Sequence, residues 1–135
     1  MVRRGQLPVL ETEEEQVMAK TPEGKVKDAI KALCKARGAY YAMPVMAGMA
    51  SNGTPDFLIC YKGVFIAVEA KAGKGTTTAL QKVRLREIAA AGGTALVVNE
   101  SGISDLADVF DGIDAGFRRV VTYEDVTLAG VMEGE

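Results

Sequence analysis

The chain has 135 residues, enough for one domain with its own core. Its apolar fraction of 48% and charged fraction of 25% are those of a globular protein. It has no histidine, which excludes histidine-ligated metal and Ser–His–Asp chemistry, and two distant cysteines, which exclude a disulfide framework.

The net charge of −2 conceals a strong division. Residues 20–86 carry twelve basic and four acidic side chains, whereas residues 100–135 carry two basic and nine acidic. A basic segment beside an acidic tail points to nucleic-acid contact by the basic part; an ordinary surface of uneven sign is the plainer alternative. No apolar run approaches the ~20 residues that span a bilayer, and no signal peptide is visible. The expected setting is therefore a reducing cytoplasm, and so compact a chain suits a phage or prophage source.

In chain order, residues 1–20 read as an N-terminal arm with a charge run from Glu11 to Gln16. Thr21-Pro22 reads as an N-cap followed by a first-turn proline. Val26, Ala29, Ile30, Leu33 and Cys34 repeat at helical spacing, and Gly38 stops that helix. Glu23 sits at the edge of its apolar face, able to reach a metal or merely to oppose the helix dipole. Lys27, Lys31 and Lys35 form a stripe that reads as a phosphate grip or a solvated face. Residues 39–45 read as a strand, and 47–53 as a flexible loop leading to Pro55-Asp56.

Asp56–Tyr61 and Val64–Glu69 are strand-like runs split by Lys62-Gly63, the pattern of a hairpin. With those two residues as the loop, Tyr61 faces Val64 and, counting back, Asp56 faces Glu69. Opposed residues have Cβ atoms about 4.5–5.5 Å apart on one face. Lys71, two residues further, projects from that face too. Leu58, Cys60, Phe65 and Ala67 share the acidic face, and Phe57, Ile59, Val64, Ile66 and Val68 the other, so the hairpin is expected to be covered on both sides, with Cys60 in the core. Opposed carboxylates in such a place repel and lose hydration unless a cation or a proton compensates. Oxygen donors of this kind suit Mg²⁺ or Mn²⁺.

After Lys71, residues 72–78 read as a mobile polar loop. They lack the spacing of a phosphate-cradling nucleotide loop, so no nucleotide cofactor is expected. Thr78 opens a helix to about Ala91, and Thr78-x-x-Gln81 is a capping box, a structural reason for Gln81 to stand where it does. Residues 94–98 form an apolar strand expected to run parallel to the Glu69 strand. Residues 101–114 read as a helix with Ile103, Leu106, Val109, Phe110 and Ile113 on its core face; residues 118–122 read as a short strand candidate.

The set Gly53-Thr54-Pro55-Asp56, Glu69-Ala70-Lys71, Gln81 and the upstream Glu23 resembles the PD-(D/E)xK nuclease superfamily, most of all its VRR-NUC branch (virus-type replication-repair nucleases), over about residues 21–100. The resemblance implies an α/β fold: a restriction-endonuclease-like core with a mixed central sheet flanked by helices, in the order αβββαβ plus a C-terminal helix. It implies a nuclease domain at 21–115, between the arm and a C-terminal extension at 116–135. It implies metal-assisted hydrolysis of DNA, with Asp56, Glu69, the Ala70 carbonyl and Glu23 as Mg²⁺ ligands. Lys71 and Gln81 would complete the catalytic set, with Lys74, Lys82, Arg84 and Arg86 on the DNA backbone. The leading substrate is branched DNA, a Holliday junction, cut by a homodimer, since two symmetric cuts need two sites. Flap, nicked or duplex-end DNA, a non-catalytic DNA-binding module, and a structural interaction protein are the rivals.

Overall fold

The computed structural model describes residues 21–45 and 53–117; the arm, most of the loop after residue 45 and the tail, including the strand candidate at 118–122, lie outside them. Among the described residues, four strands form one sheet in the order β1-β2-β3-β4. Helix α1 is Pro22–Arg37, β1 Tyr40–Ala42, β2 Phe57–Tyr61 and β3 Val64–Ala70. Helix α2 is Ala79–Ala90, β4 Thr94–Val98, and a 3₁₀ turn at Glu100–Gly102 leads into α3, Ile103–Asp114. The first three strands are antiparallel, and β4 runs parallel to β3. This is the expected αβββαβ order with a C-terminal helix.

Local chemistry accounts for the ends of α1, the hairpin turn and the end of β1. The Thr21 hydroxyl accepts from the Gly24 N–H at 2.9 Å and starts α1; Gly38, at φ 75°, ends it. The hairpin turn needs positive φ at both central residues, and Lys62 (50°) and Gly63 (83°) supply it. The turn fixes the register at Tyr61↔Val64 through Phe57↔Val68. Strand β1 is shorter than the expected 39–45: pairing ends at Ala42, and Pro44 has no N–H to continue a ladder.

The sheet has a thick face and a thin one. On the thick face α1 and α3 bury Val26, Ile30, Cys34, Leu106, Val109 and Phe110 against Phe57, Ile59, Ile66, Val68, Leu96 and Val98. On the thin face Leu85 and Ala89 of α2 meet Ala67 and Ala95. Helix α2 lies along β4, so cover thins out toward the hairpin turn. Cys60 is exposed and Phe65 45% exposed, which corrects the expectation of a hairpin covered on both faces with Cys60 in the core. A twelve-residue helix, ~18 Å long, cannot roof a whole sheet.

At the turn end, Arg37 donates to Asp111 (2.8 Å) and Asp114 (2.9 Å), and Tyr61 and Lys62 also bond Asp114. The Lys62 and Tyr61 hydrogen bonds, with Arg37, hold the Asp114 carboxyl down to about 2. This cluster ties α1, the hairpin and α3 together at the end of the sheet opposite Asp56.

Gly53 sets the entry to β2. Its φ is 84°, and an added Cβ would stand 2.7 Å from the Leu80 carbonyl oxygen and 2.9 Å from its carbon. The loop that delivers Asp56 therefore lies directly on the first turn of α2. Gly53→Ala combines left-handed strain with a clash against backbone, and the expected cost is about 2–3 kcal/mol. Urea unfolding of the two proteins checks it; a loss below about 0.5 kcal/mol would show that the loop can move away from α2 freely.

Candidate active site

The polar cluster lies where the first turns of α1 and α2 meet the entry of β2 and the exit of β3. Asp56 stands one residue before the ladder, opposite Glu69 in register. Its Oδ2 accepts the Ala70 N–H at 2.9 Å, so the side chain closes the hairpin where a backbone carbonyl would otherwise do so. Glu69 is 3% exposed. Its Oε2 accepts from Gln81 Nε2 at 2.8 Å and lies 3.5 Å from Lys71 Nζ. Its Oε1 is buried and has no hydrogen-bond partner among the described residues.

Burial, followed by the nearby Asp56 carboxylate, pushes the Glu69 carboxyl up to about 7; Lys71 acts in the opposite direction. A carboxylate left in this position without further compensation prefers a proton. A buried acceptor oxygen with no partner, beside a second carboxylate, is what a cation site of oxygen donors looks like before a cation is considered.

Gln81 serves two purposes. Its Oε1 accepts the Thr78 N–H at 2.8 Å, the Thr78 hydroxyl accepts the Gln81 N–H at 3.1 Å, and its Nε2 reaches Glu69. The capping box therefore also fixes a donor on the buried carboxylate. The loop between Lys71 and α2, read from sequence as mobile, is tied down: Glu100 accepts the Gly73 N–H with both oxygens, at 2.8 and 3.1 Å.

Glu23 does not join Asp56 and Glu69 in a metal-ready cluster, and among the described residues no three His, Cys, Asp or Glu side chains form one. Lys27 stands between: its Nζ is 3.5 Å from Glu23 Oε2 and 3.7 Å from Asp56 Oδ1, and its side chain is 17% exposed. Helical spacing places Lys27 in a stripe with Lys31 and Lys35, and its spacing of four from Glu23 is the signal for this pairing. Of the other basic residues, Lys74 is exposed in the loop after Lys71, and Arg86 is exposed on α2. Lys82 shares a flank of α2 with Arg86, four residues away. Arg84 is on another flank, paired with Glu87 at 2.8 Å. Beside Lys71 opens a hollow of about 250 Å³ lined by Gly75, Val97, Asn99, Ser101, Gly102 and Asp105, at the carboxyl ends of the parallel strands.

A solved structure described as a VRR_NUC domain matches 65% of this chain and 96% of its own length, with a TM-score of 0.58 and 24% sequence identity. The fold is that of a VRR_NUC domain. No family model and no curated protein sequence matches the chain. The expected restriction-endonuclease-like α/β class therefore holds in its mixed sheet and flanking helices. At this identity the VRR_NUC likeness speaks for the fold; function has to be argued from the side chains.

Proposed function

We propose that this chain is a metal-dependent deoxyribonuclease of the VRR-NUC kind, hydrolysing DNA phosphodiester bonds at the Asp56–Glu69 cluster. The observation that carries the reading is Glu69: a buried carboxylate with an unpartnered oxygen, opposite a second carboxylate and between a lysine and a glutamine, on a VRR_NUC fold. The donor set fits a hard divalent cation. Among the described residues Glu69 Oε1 has no hydrogen-bond partner, and Asp56 Oδ1 is the oxygen that the Ala70 N–H leaves; with these two, the Ala70 carbonyl and water would complete the set. A divalent ion bound there would polarise the phosphoryl group and make a water more acidic.

The chain's own residues do the rest. The Ala70 N–H and Gln81 hold the two carboxylates in fixed rotamers, so little reorganisation is needed as charge develops. Lys71, 16% exposed, places an ammonium beside Glu69 where negative charge builds on the phosphoryl oxygens. Lys74, Lys82, Arg84 and Arg86 would position the backbone of a branched DNA, with a Holliday junction as the leading substrate and a homodimer making the paired cuts.

Cleavage of an immobile four-way junction, of a flap and of linear duplex, each with Mg²⁺, Mn²⁺ or EDTA, tests the reading. Metal-dependent cutting of the junction in preference to the others is the expected result. Absence of cutting on all three with either metal would sink it. Lys71 and the flanking bases separate on a second axis. Lys71→Ala should lose turnover with DNA affinity nearly unchanged, because its contact belongs mainly to the transition state. Lys82→Ala and Arg86→Ala should instead weaken binding and flatten the salt dependence by about 0.9 per lost phosphate contact. Fluorescence anisotropy across a salt series reads both, and slopes unchanged in both variants would place DNA on another face.

A further inference from the structure

Lys27 brings its ammonium to Asp56. Its ammonium faces Asp56 Oδ1 at 3.7 Å, beyond hydrogen-bond distance, while Asp56 Oδ2 is occupied by the Ala70 N–H. Glu69 presents its Gln81 and Lys71 contacts through Oε2 and leaves Oε1 bare. The Asp56 oxygen that does not hold the Ala70 N–H is therefore the one Lys27 confronts. Glu23, at 3.5 Å on the other side of the ammonium, offers Lys27 a second resting place one helical turn away on α1. The side chain is largely buried, so its charge is screened less than that of an exposed lysine.

We infer that Lys27 is a resident counter-ion of the carboxylate site: it neutralises Asp56 when no divalent cation is present, and competes with that cation, shifting toward Glu23 when the site is filled. The inference rests on the metal-site reading above. It assigns to Glu23 the role of holding a displaced ammonium, a role distinct from that of a ligand. It also makes Lys27 a positioning residue that sets the metal concentration at which the site loads.

The test is Lys27→Met, which keeps the buried stem and removes the charge. In EDTA the variant should melt below the wild type, because Asp56 and Glu69 then face each other with one cation fewer. In a calorimetric or thermal-shift titration with Mn²⁺ alone, without DNA, it should bind at least about fivefold more tightly than the wild type, as the removal of charge repulsion requires. Lys27→Arg, which keeps the charge, should bind Mn²⁺ within about twofold of the wild type on the same argument. A variant that folds only when Mn²⁺ is present would be the same result in stronger form. If Lys27→Met does not fold even with Mn²⁺, Lys27→Gln takes its place with the same expectation.

Equal or weaker Mn²⁺ binding by the charge-free variant overturns the inference while leaving the metal site standing. No Mn²⁺ binding by wild type or variant overturns both. Tighter binding in the variant, in a protein that cuts no DNA, would support Lys27 as counter-ion and overturn only the nuclease reading.

Discussion

Glu69→Gln should abolish DNA cleavage and, in EDTA at pH 8, raise the melting temperature. The two effects have one cause. The folded state lifts the Glu69 carboxyl from 4.5 to about 7, through burial first and Asp56 second. Between those values the folded chain holds a proton that the unfolded chain releases, so stability falls as pH rises through this window. Below about 4.5 the penalty is absent; above about 7 it is complete. A shift of this size costs on the order of 3 kcal/mol at pH 8.

The substituted glutamine carries no charge, so the variant's stability should be flatter between about pH 5 and pH 8 by that amount, and the two proteins should converge toward about pH 4. Mn²⁺ should stabilise the wild type at pH 8 and leave Glu69→Gln nearly unmoved, because binding to the folded state alone raises its stability. Asp56→Asn retains an oxygen for the Ala70 N–H, so it should fold. It should still lose more than about tenfold in cleavage, about 1.4 kcal/mol in the barrier. Parallel pH–stability curves for wild type and Glu69→Gln would show that the carboxyl is not strained in the fold. Cleavage above a tenth of wild type by either variant would move the active site elsewhere.

Why this pair was legible in the sequence, while its neighbours were less so, is a matter of which interactions are local. A two-residue turn leaves no freedom in counting back along a hairpin, so Lys62-Gly63 fixes Asp56 against Glu69 from thirteen positions away. The helix-then-strand return of α2 into β4 likewise admits one sensible handedness and a parallel β4. Lys27 was ambiguous because helical spacing tells which residues share a face but not what arrives opposite them; Asp56 meets it from a different element. Cys60 and Phe65 were misplaced for a related reason. Alternation along a strand identifies a face, but how far a helix extends over that face depends on the helix's position on β4. Ala67 and Ala95, small residues on the thin face, carried a hint that a helix approaches closely there, but only opposite α2.

Gln81 combines a local and a distant interaction, and its substitution separates them. Glu in its place keeps an oxygen for the Thr78 N–H and suits the positive end of α2, so a residue that only capped the helix would gain slightly from the change. Gln81 also donates through Nε2 to Glu69 Oε2 at 2.8 Å. Gln81→Glu replaces that donor with a third carboxylate oxygen against a buried one. Unit charges about 4 Å apart repel by about 4 kcal/mol at an effective dielectric near 20. Side-chain rotation relieves part of this, at the expense of the capping bond. The expected result is a melting temperature in EDTA at pH 8 lower by at least about 5 °C, a loss of one to two kcal/mol for a domain of this size. At pH 5 the loss should shrink, because a protonated carboxyl can again donate across the gap. Cleavage should fall at least tenfold, about 1.4 kcal/mol. Mn²⁺ should restore part of the stability, since a divalent ion among three carboxylates lowers their mutual repulsion. A Gln81→Glu protein as stable as wild type at pH 8 and equally active would reduce Gln81 to a helix cap, and would mean that its contact with Glu69 contributes nothing to holding the carboxylate for chemistry.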